Sequence, residues 1–102
     1  MDKAAALVIA RQYADVVVKE MSPDKVLLFG SHVKDKAREG SDIDIAIIFD
    51  GFEGDWFRAC VKLSSLTRKV NAAIEPVLLD IRDDKTGFVQ EVLRTGELVY
   101  QQ

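Results

Sequence analysis

Apolar residues recur at Leu7, Ala10, Ala14, Val17 and Met21, with Ile9, Tyr13 and Val16 beside them. Steps of three and four place these on one stripe of a helix. The spacing predicts a first helix over about Lys3 to Glu20, with Asp2 as its N-cap and Ser22-Pro23 as its stop. Lys25 to Phe29 is too short for a helix and apolar after its first residue, so it reads as a buried strand. His32 to Ser41 is polar and mixed in charge. Val33 and Ala37 could anchor one helical turn there before Gly40-Ser41 breaks it. Ile43, Ile45, Ile47 and Phe49 then alternate with Asp42, Asp44, Ala46 and Ile48, the period of two expected of a strand.

Farther along, Asp55 caps a predicted helix whose inward face comprises Trp56, Phe57, Cys60, Leu63, Thr67 and Val70. Ile74 to Leu79 reads as a strand, and Pro76 within it assigns that strand to a sheet edge or a bulge. Asp80 to Lys85 is a charged loop in which Asp80, Asp83 and Asp84 read as solvated. Phe88, Val89, Val92 and Leu93 form a short helical face closed by Gly96, and Leu98 to Tyr100 suits a last strand. The order is α-β-turn-β-α-β-α-β, an α/β (α+β) layer arrangement. The first two strands are joined too briefly for a full crossover helix. They are therefore expected to pair antiparallel within a mixed β-sheet of three to four strands packed against α-helices. Residues 1–102 are expected to form one domain.

Composition narrows the function classes. Hydrophobic residues make up 48% of the chain, enough for a core, and the net charge of −3 argues against a dedicated binder of long nucleic acid. Cys60 has no second cysteine to pair with, and no apolar run is long enough for a membrane span. A cytoplasmic, membrane-free setting is the expectation.

The chemistry concentrates where the two central strands meet the intervening loop. Gly30-Ser31 ends the first strand, ten residues follow, and Asp42-Ile43-Asp44 opens the second. Carboxylates at i and i+2 on a strand face the same way, roughly 6.6 Å apart along it, which suits shared divalent cations. Taken alone, such a pair could also be an exposed strand face or a capping turn. Its position at the head of a strongly apolar strand is what favours a metal, since the charge must be offset. Hard oxygen ligands without a His or Cys cluster select Mg²⁺ or Mn²⁺. Glu75 interrupts an otherwise apolar strand and is the best third carboxylate. Lys34 and Arg38 could neutralise a triphosphate, although Asp35 and Glu39 are interleaved with Lys34, Lys36 and Arg38. His32, the sole histidine, reads as a loop residue rather than a general base. Cys60 and the aromatic residues read as core.

Leu28-Phe29-Gly30-Ser31, ten residues, then Ser41-Asp42-Ile43-Asp44-Ile45 resembles the signature of the minimal nucleotidyltransferases, the MNT family of the DNA polymerase beta-like superfamily. The likeness extends to the leading helix, to Ile74-Glu75-Pro76-Val77 and to the closing Val92 to Tyr100 segment. It implies the small nucleotidyltransferase fold. It further implies that Gly30 and Ser31 hold the triphosphate of ATP or another NTP, and that Asp42 and Asp44 bind two Mg²⁺ ions. Glu75 would complete the metal set and deprotonate or orient the acceptor. The family often pairs with HEPN-domain proteins of RNase-toxin type, acting as antitoxin by transferring AMP to a partner tyrosine. The family's Gly-Ser-x-Ala-x-Gly pattern is altered here to Val33 and Asp35. Asp tolerates left-handed backbone, so the turn is expected to survive, while its charge opposes a triphosphate. A catalytically weak module that neutralises a HEPN partner by contact is the alternative this implies. A small metal-dependent nuclease is a weaker third reading, because no E-x-K element accompanies the carboxylates.

Overall fold

A computed structural model describes residues 1–102. The chain forms α1 (Lys3–Val18), β1 (Lys25–Phe29), β2 (Ile43–Phe49), α2 (Trp56–Leu66), β3 (Ile74–Asp80), α3 (Phe88–Thr95) and β4 (Glu97–Gln101). Asp2 caps α1 by accepting the Ala5 N–H at 2.9 Å, and Asp55 caps α2 by accepting the Arg58 N–H at 3.0 Å. Both caps satisfy N–H groups that the helix itself leaves unpaired. Gly96 ends α3.

The four strands form one mixed sheet in the order β3-β2-β1-β4. β1 is antiparallel to both β2 and β4, and β2 runs parallel to β3 with α2 in the crossover. Pro76 lies on an edge strand, where its missing N–H can face away from the ladder. α1 and α2 cover one face, burying Ala10, Tyr13, Val17, Ile43, Ile45, Ile47 and Leu63. α3 covers the other with Val89 and Val92 on Leu27, Ala46 and Ile48. Layers on both sides explain why β1 and the later part of β2 are apolar without alternation. Tyr13 donates from its hydroxyl to the Leu63 carbonyl at 2.6 Å, tying α1 to α2, and its burial pushes the phenol pKa well up. No helix is long and apolar enough to cross a membrane.

Several local expectations need correction. The helical turn placed at Val33 and Ala37 is instead a 3-10 turn at Gly30–His32, immediately after β1. α2 buries Ala59, Leu63 and Leu66, whereas Phe57 is 75% exposed and Trp56 is 43% exposed. Phe88 is also exposed, so these three aromatics are not core. Asp80 and Asp84 are not idle loop acids. Asp84 accepts N–H groups of Val89 and Gln90 at the start of α3. Asp80 accepts those of Gly51 and Phe52, both at 2.9 Å, and of Arg82 at 3.0 Å, fastening the loop after β2 to the end of β3.

These three donors hold the Asp80 carboxyl below the usual carboxylate range. A depressed folded pKa contributes stability above the unfolded value near 4, and that stability is lost as pH falls through the folded value. Asp80→Ala is expected to lower stability by about 1 kcal/mol at neutral pH, the scale of a lost cap. Urea unfolding at pH 7 and pH 3 checks this, because the gap between the two proteins should narrow at the lower pH. An equal gap at both values would remove Asp80 from the account.

Candidate active site

Strand register brings the predicted residues to one end of the sheet. Asp44 lies directly opposite Phe29 on β1 and directly beside Glu75 on β3. Its neighbours Ile43 and Ile45 are buried among α1 and α2, so Asp44 and, by the alternation of a strand, Asp42 belong to the opposite face. Glu75 follows the same parity on β3, between Ile74 and Pro76. The Ile43 N–H donates to the Ala73 carbonyl at 2.9 Å, which fixes the heads of β2 and β3 together. Asp42 and Glu75 are exposed and Asp44 is half-buried.

Gly30 is in contact with this group. It has φ of +79°, and a Cβ placed on it would collide with the Asp44 carboxylate. Glycine is required twice over, by the left-handed backbone and by the close approach. Ser31 follows it, half-buried, within the 3-10 turn. The turn continues through hydrogen bonds from Val33 and Lys34 to the Gly30 carbonyl, both at 3.1 Å. Asp35 then adopts φ of +58°, the left-handed value expected for the residue that replaces a glycine there. Arg38 and Ser41 close the loop: the Arg38 N–H donates to Ser41 Oγ at 2.8 Å, and the Ser41 N–H donates to the Arg38 carbonyl at 2.9 Å. Lys34 and Arg38 are exposed, and the chain's ion pairs are made by other residues.

Electrostatics single out Asp44. Burial raises its pKa first, then the like charges of Asp42 and Glu75, while His32 opposes the rise. The three carboxylates therefore lie close enough to repel one another. Their side chains do not close into a three-ligand cage, and they remain an open acidic face across two strands. All-oxygen donors under mutual repulsion fit a hard dication such as Mg²⁺. A cavity of about 240 Å³ lies elsewhere, between Trp56 and Phe88 beside the end of β3, and none of the acidic residues at the heads of β2 and β3 line it.

His32 is the residue whose setting the sequence concealed. It is 5% exposed, with both ring nitrogens buried. A lone histidine in a polar run carries no hydrophobic period that would reveal burial.

The fold is shared with known structures. A candidate nucleotidyltransferase from Sulfolobus solfataricus superposes with a TM-score of 0.69 at 18% identity, over 98% of this chain and 84% of that one. A toxin-antitoxin structure with AMP-PNP gives 0.67 at 21% identity, over 90% and 73%. A tri-AMPylated Shewanella oneidensis HEPN toxin in complex with its MNT antitoxin gives 0.64 at 19%, over 95% and 73%. Identities this low establish the common fold and no more. No curated protein matches the chain significantly in sequence. The profile of the polymerase beta nucleotidyltransferase family, however, matches residues 11–102. That span runs from the middle of α1 through β4 and takes in Gly30, Ser31, Asp42, Asp44 and Glu75. The chain belongs to the polymerase beta-type nucleotidyltransferase family.

Proposed function

We propose that this protein is a Mg²⁺-dependent nucleotidyltransferase that moves AMP from ATP to an acceptor hydroxyl, a tyrosine of a HEPN-domain toxin, and so acts as its antitoxin. The single observation that carries the reading is the register that sets Asp44 beside Glu75 and against Gly30. It joins a carboxylate face to the Gly30-Ser31 turn within one family's fold. The solved MNT antitoxin complex with an AMPylated HEPN toxin supports the acceptor class, and the complex with AMP-PNP supports ATP. Free Cys60 and the need for ATP support a cytoplasmic setting.

Asp42, Asp44 and Glu75 would hold two Mg²⁺ ions, with Mn²⁺ an acceptable substitute. Bound there, the cations supply charge neutralisation on the triphosphate and a more acidic acceptor hydroxyl. The Gly30-Ser31 turn brings main chain and a hydroxyl against the phosphates, and Lys34 and Arg38 add positive charge from the loop. Glu75, exposed at the sheet edge, takes or orients the acceptor proton. The acceptor oxygen bonds to the α-phosphorus, the α–β bridge breaks, and pyrophosphate leaves. The acidic face is open rather than enclosed, so water exclusion falls to the docked acceptor protein.

Asp35 supports a second reading, a module that masks a HEPN partner without modifying it. Its charge stands in the turn that begins at Gly30. Asp35→Gly removes that charge and relieves the left-handed backbone. It is expected to tighten Mg²⁺·ATP binding two- to five-fold, about 0.5–1 kcal/mol, with the gain shrinking as salt rises. Calorimetric titration at two ionic strengths measures it, and unchanged affinity would show that Asp35 faces away from the phosphates. The two readings separate on an Asp42→Ala/Asp44→Ala variant given a HEPN toxin, ATP and Mg²⁺. Neutralisation lost together with AMP transfer supports the enzyme. Neutralisation retained, with no AMP transferred by either protein, would support masking and sink the enzymatic reading.

A further inference from the structure

His32 ends the 3-10 turn after β1 and is that turn's only buried residue. Neither Nδ1 nor Nε2 has a hydrogen-bond partner, and both atoms are shielded from solvent. An imidazole always carries at least one N–H, and leaving it unpaired inside protein forfeits the hydrogen bond it would make to water. Buried polar groups in folded proteins are otherwise almost always paired, so an orphan of this kind calls for an explanation.

Asp44 presents the complementary need. Its carboxylate is half-buried, is raised in pKa by burial and by like charge, and receives no hydrogen bond that would offset either. The two groups flank one glycine. Gly30 packs against the Asp44 carboxylate, His32 follows two residues later in the same turn, and the field of His32 reaches Asp44. A donor without an acceptor thus stands near an acceptor without a donor, at one of the three carboxylates proposed to hold the metal ions.

We propose that His32 is a positioning residue whose ring N–H holds one oxygen of Asp44, leaving the other turned toward the face shared with Asp42 and Glu75. The inference rests on the proposed function above. The bond is unmade in the structure, where both ring nitrogens are without a partner. Carboxylates that bind metal are usually fixed by such an outer hydrogen bond, and its loss typically weakens metal binding by about 10–100-fold. The same residue with a purely space-filling role would tolerate any side chain of similar size.

Mn²⁺ binding to the full chain, followed by electron paramagnetic resonance with AMP-PNP present, tests this against the folded state seen by circular dichroism. His32→Phe keeps the ring volume and removes the donor, so it should fold as the parent does and bind Mn²⁺ about 10–100-fold more weakly. His32→Gln restores an N–H donor and should recover most of that loss. Parent-like Mn²⁺ affinity in a folded His32→Phe protein would overturn the inference, as would a Gln variant no better than Phe. A reading without variants comes from imidazole ¹⁵N–¹H spectra of the parent. Adding Mg²⁺ and AMP-PNP should shift one ring N–H to the downfield position of a carboxylate-bonded proton, and an unmoved ring signal would overturn the inference even if the variants fail to fold. A parent that binds no Mn²⁺ at all would overturn the proposed function and this inference together. A parent that binds Mn²⁺ indifferently to residue 32 overturns the inference alone.

Discussion

Replacing Asp42 and Asp44 together by Asn is expected to reduce AMP transfer by at least about 10³-fold and to leave a more stable protein. The rate loss follows from removing charge stabilisation worth several kcal/mol, at about 1.4 kcal/mol for each factor of ten. The stability gain follows from Asp44, whose pKa is raised by burial and by the neighbouring charges of Asp42 and Glu75. A carboxyl with a raised folded pKa favours the fold while protonated, and that contribution is lost as pH climbs from the unfolded value through the folded one. At neutral pH the charge is a burden, and Asn removes it. A gain of about 0.5–1 kcal/mol is expected, solvent screening of the partly exposed carboxylates keeping it small. Urea unfolding at pH 7 measures the gain, which should shrink as pH falls through the raised folded value toward the unfolded value near 4. A double variant less stable than the parent would mean that Asp44 has structural partners not accounted for.

Gly30→Ala is expected to lower transfer by about 100-fold and stability by about 1–2 kcal/mol. The stability loss is the cost of an L-residue at φ of +79°. The activity loss has a separate origin, since the new Cβ would occupy the space of the Asp44 carboxylate, and a shift of about 1 Å in a reacting group can cost about 10²-fold. Gly40→Ala separates the two effects. Gly40 has φ of +82°, but a Cβ there meets nothing within 4 Å. It should show a comparable stability loss with transfer nearly unchanged. Equal activity losses in the two variants would indicate general loosening of the loop, and contact with Asp44 would no longer be the cause.

Much of this arrangement is legible in the sequence, because it depends on period and order. The alternation over Asp42 to Phe49 fixed which face the aspartates take, and the short link from Phe29 implied the antiparallel pairing that sets Asp44 across from it. Pro76 points to a sheet edge or a bulge, and β3 lies at the edge. The failures share a different cause. Trp56, Phe57 and Phe88 were assigned to the core by hydropathy, yet the inward face of α2 is Ala59, Leu63 and Leu66, which follows i, i+4, i+7. A small alanine can mark close packing as well as a large ring can. Asp80 was read as solvated because two of its donors, Gly51 and Phe52, are 29 and 28 residues away along the chain. Burial of His32 likewise arises from the 3-10 turn folding against β2, a tertiary event that no local pattern encodes.

Nucleotide transfer by the Gly30 turn and the Asp42, Asp44 and Glu75 face is tested with ATP labelled at either the α- or the γ-phosphate, with Mg²⁺ and a HEPN-domain toxin as acceptor. The toxin is expected to acquire the α-label and not the γ-label, and pyrophosphate should appear in equal amount. Neither should occur with the Asp42→Asn/Asp44→Asn protein. A toxin carrying the γ-label, or one left unlabelled by a parent protein that still neutralises it, would rule out nucleotidyl transfer at this face.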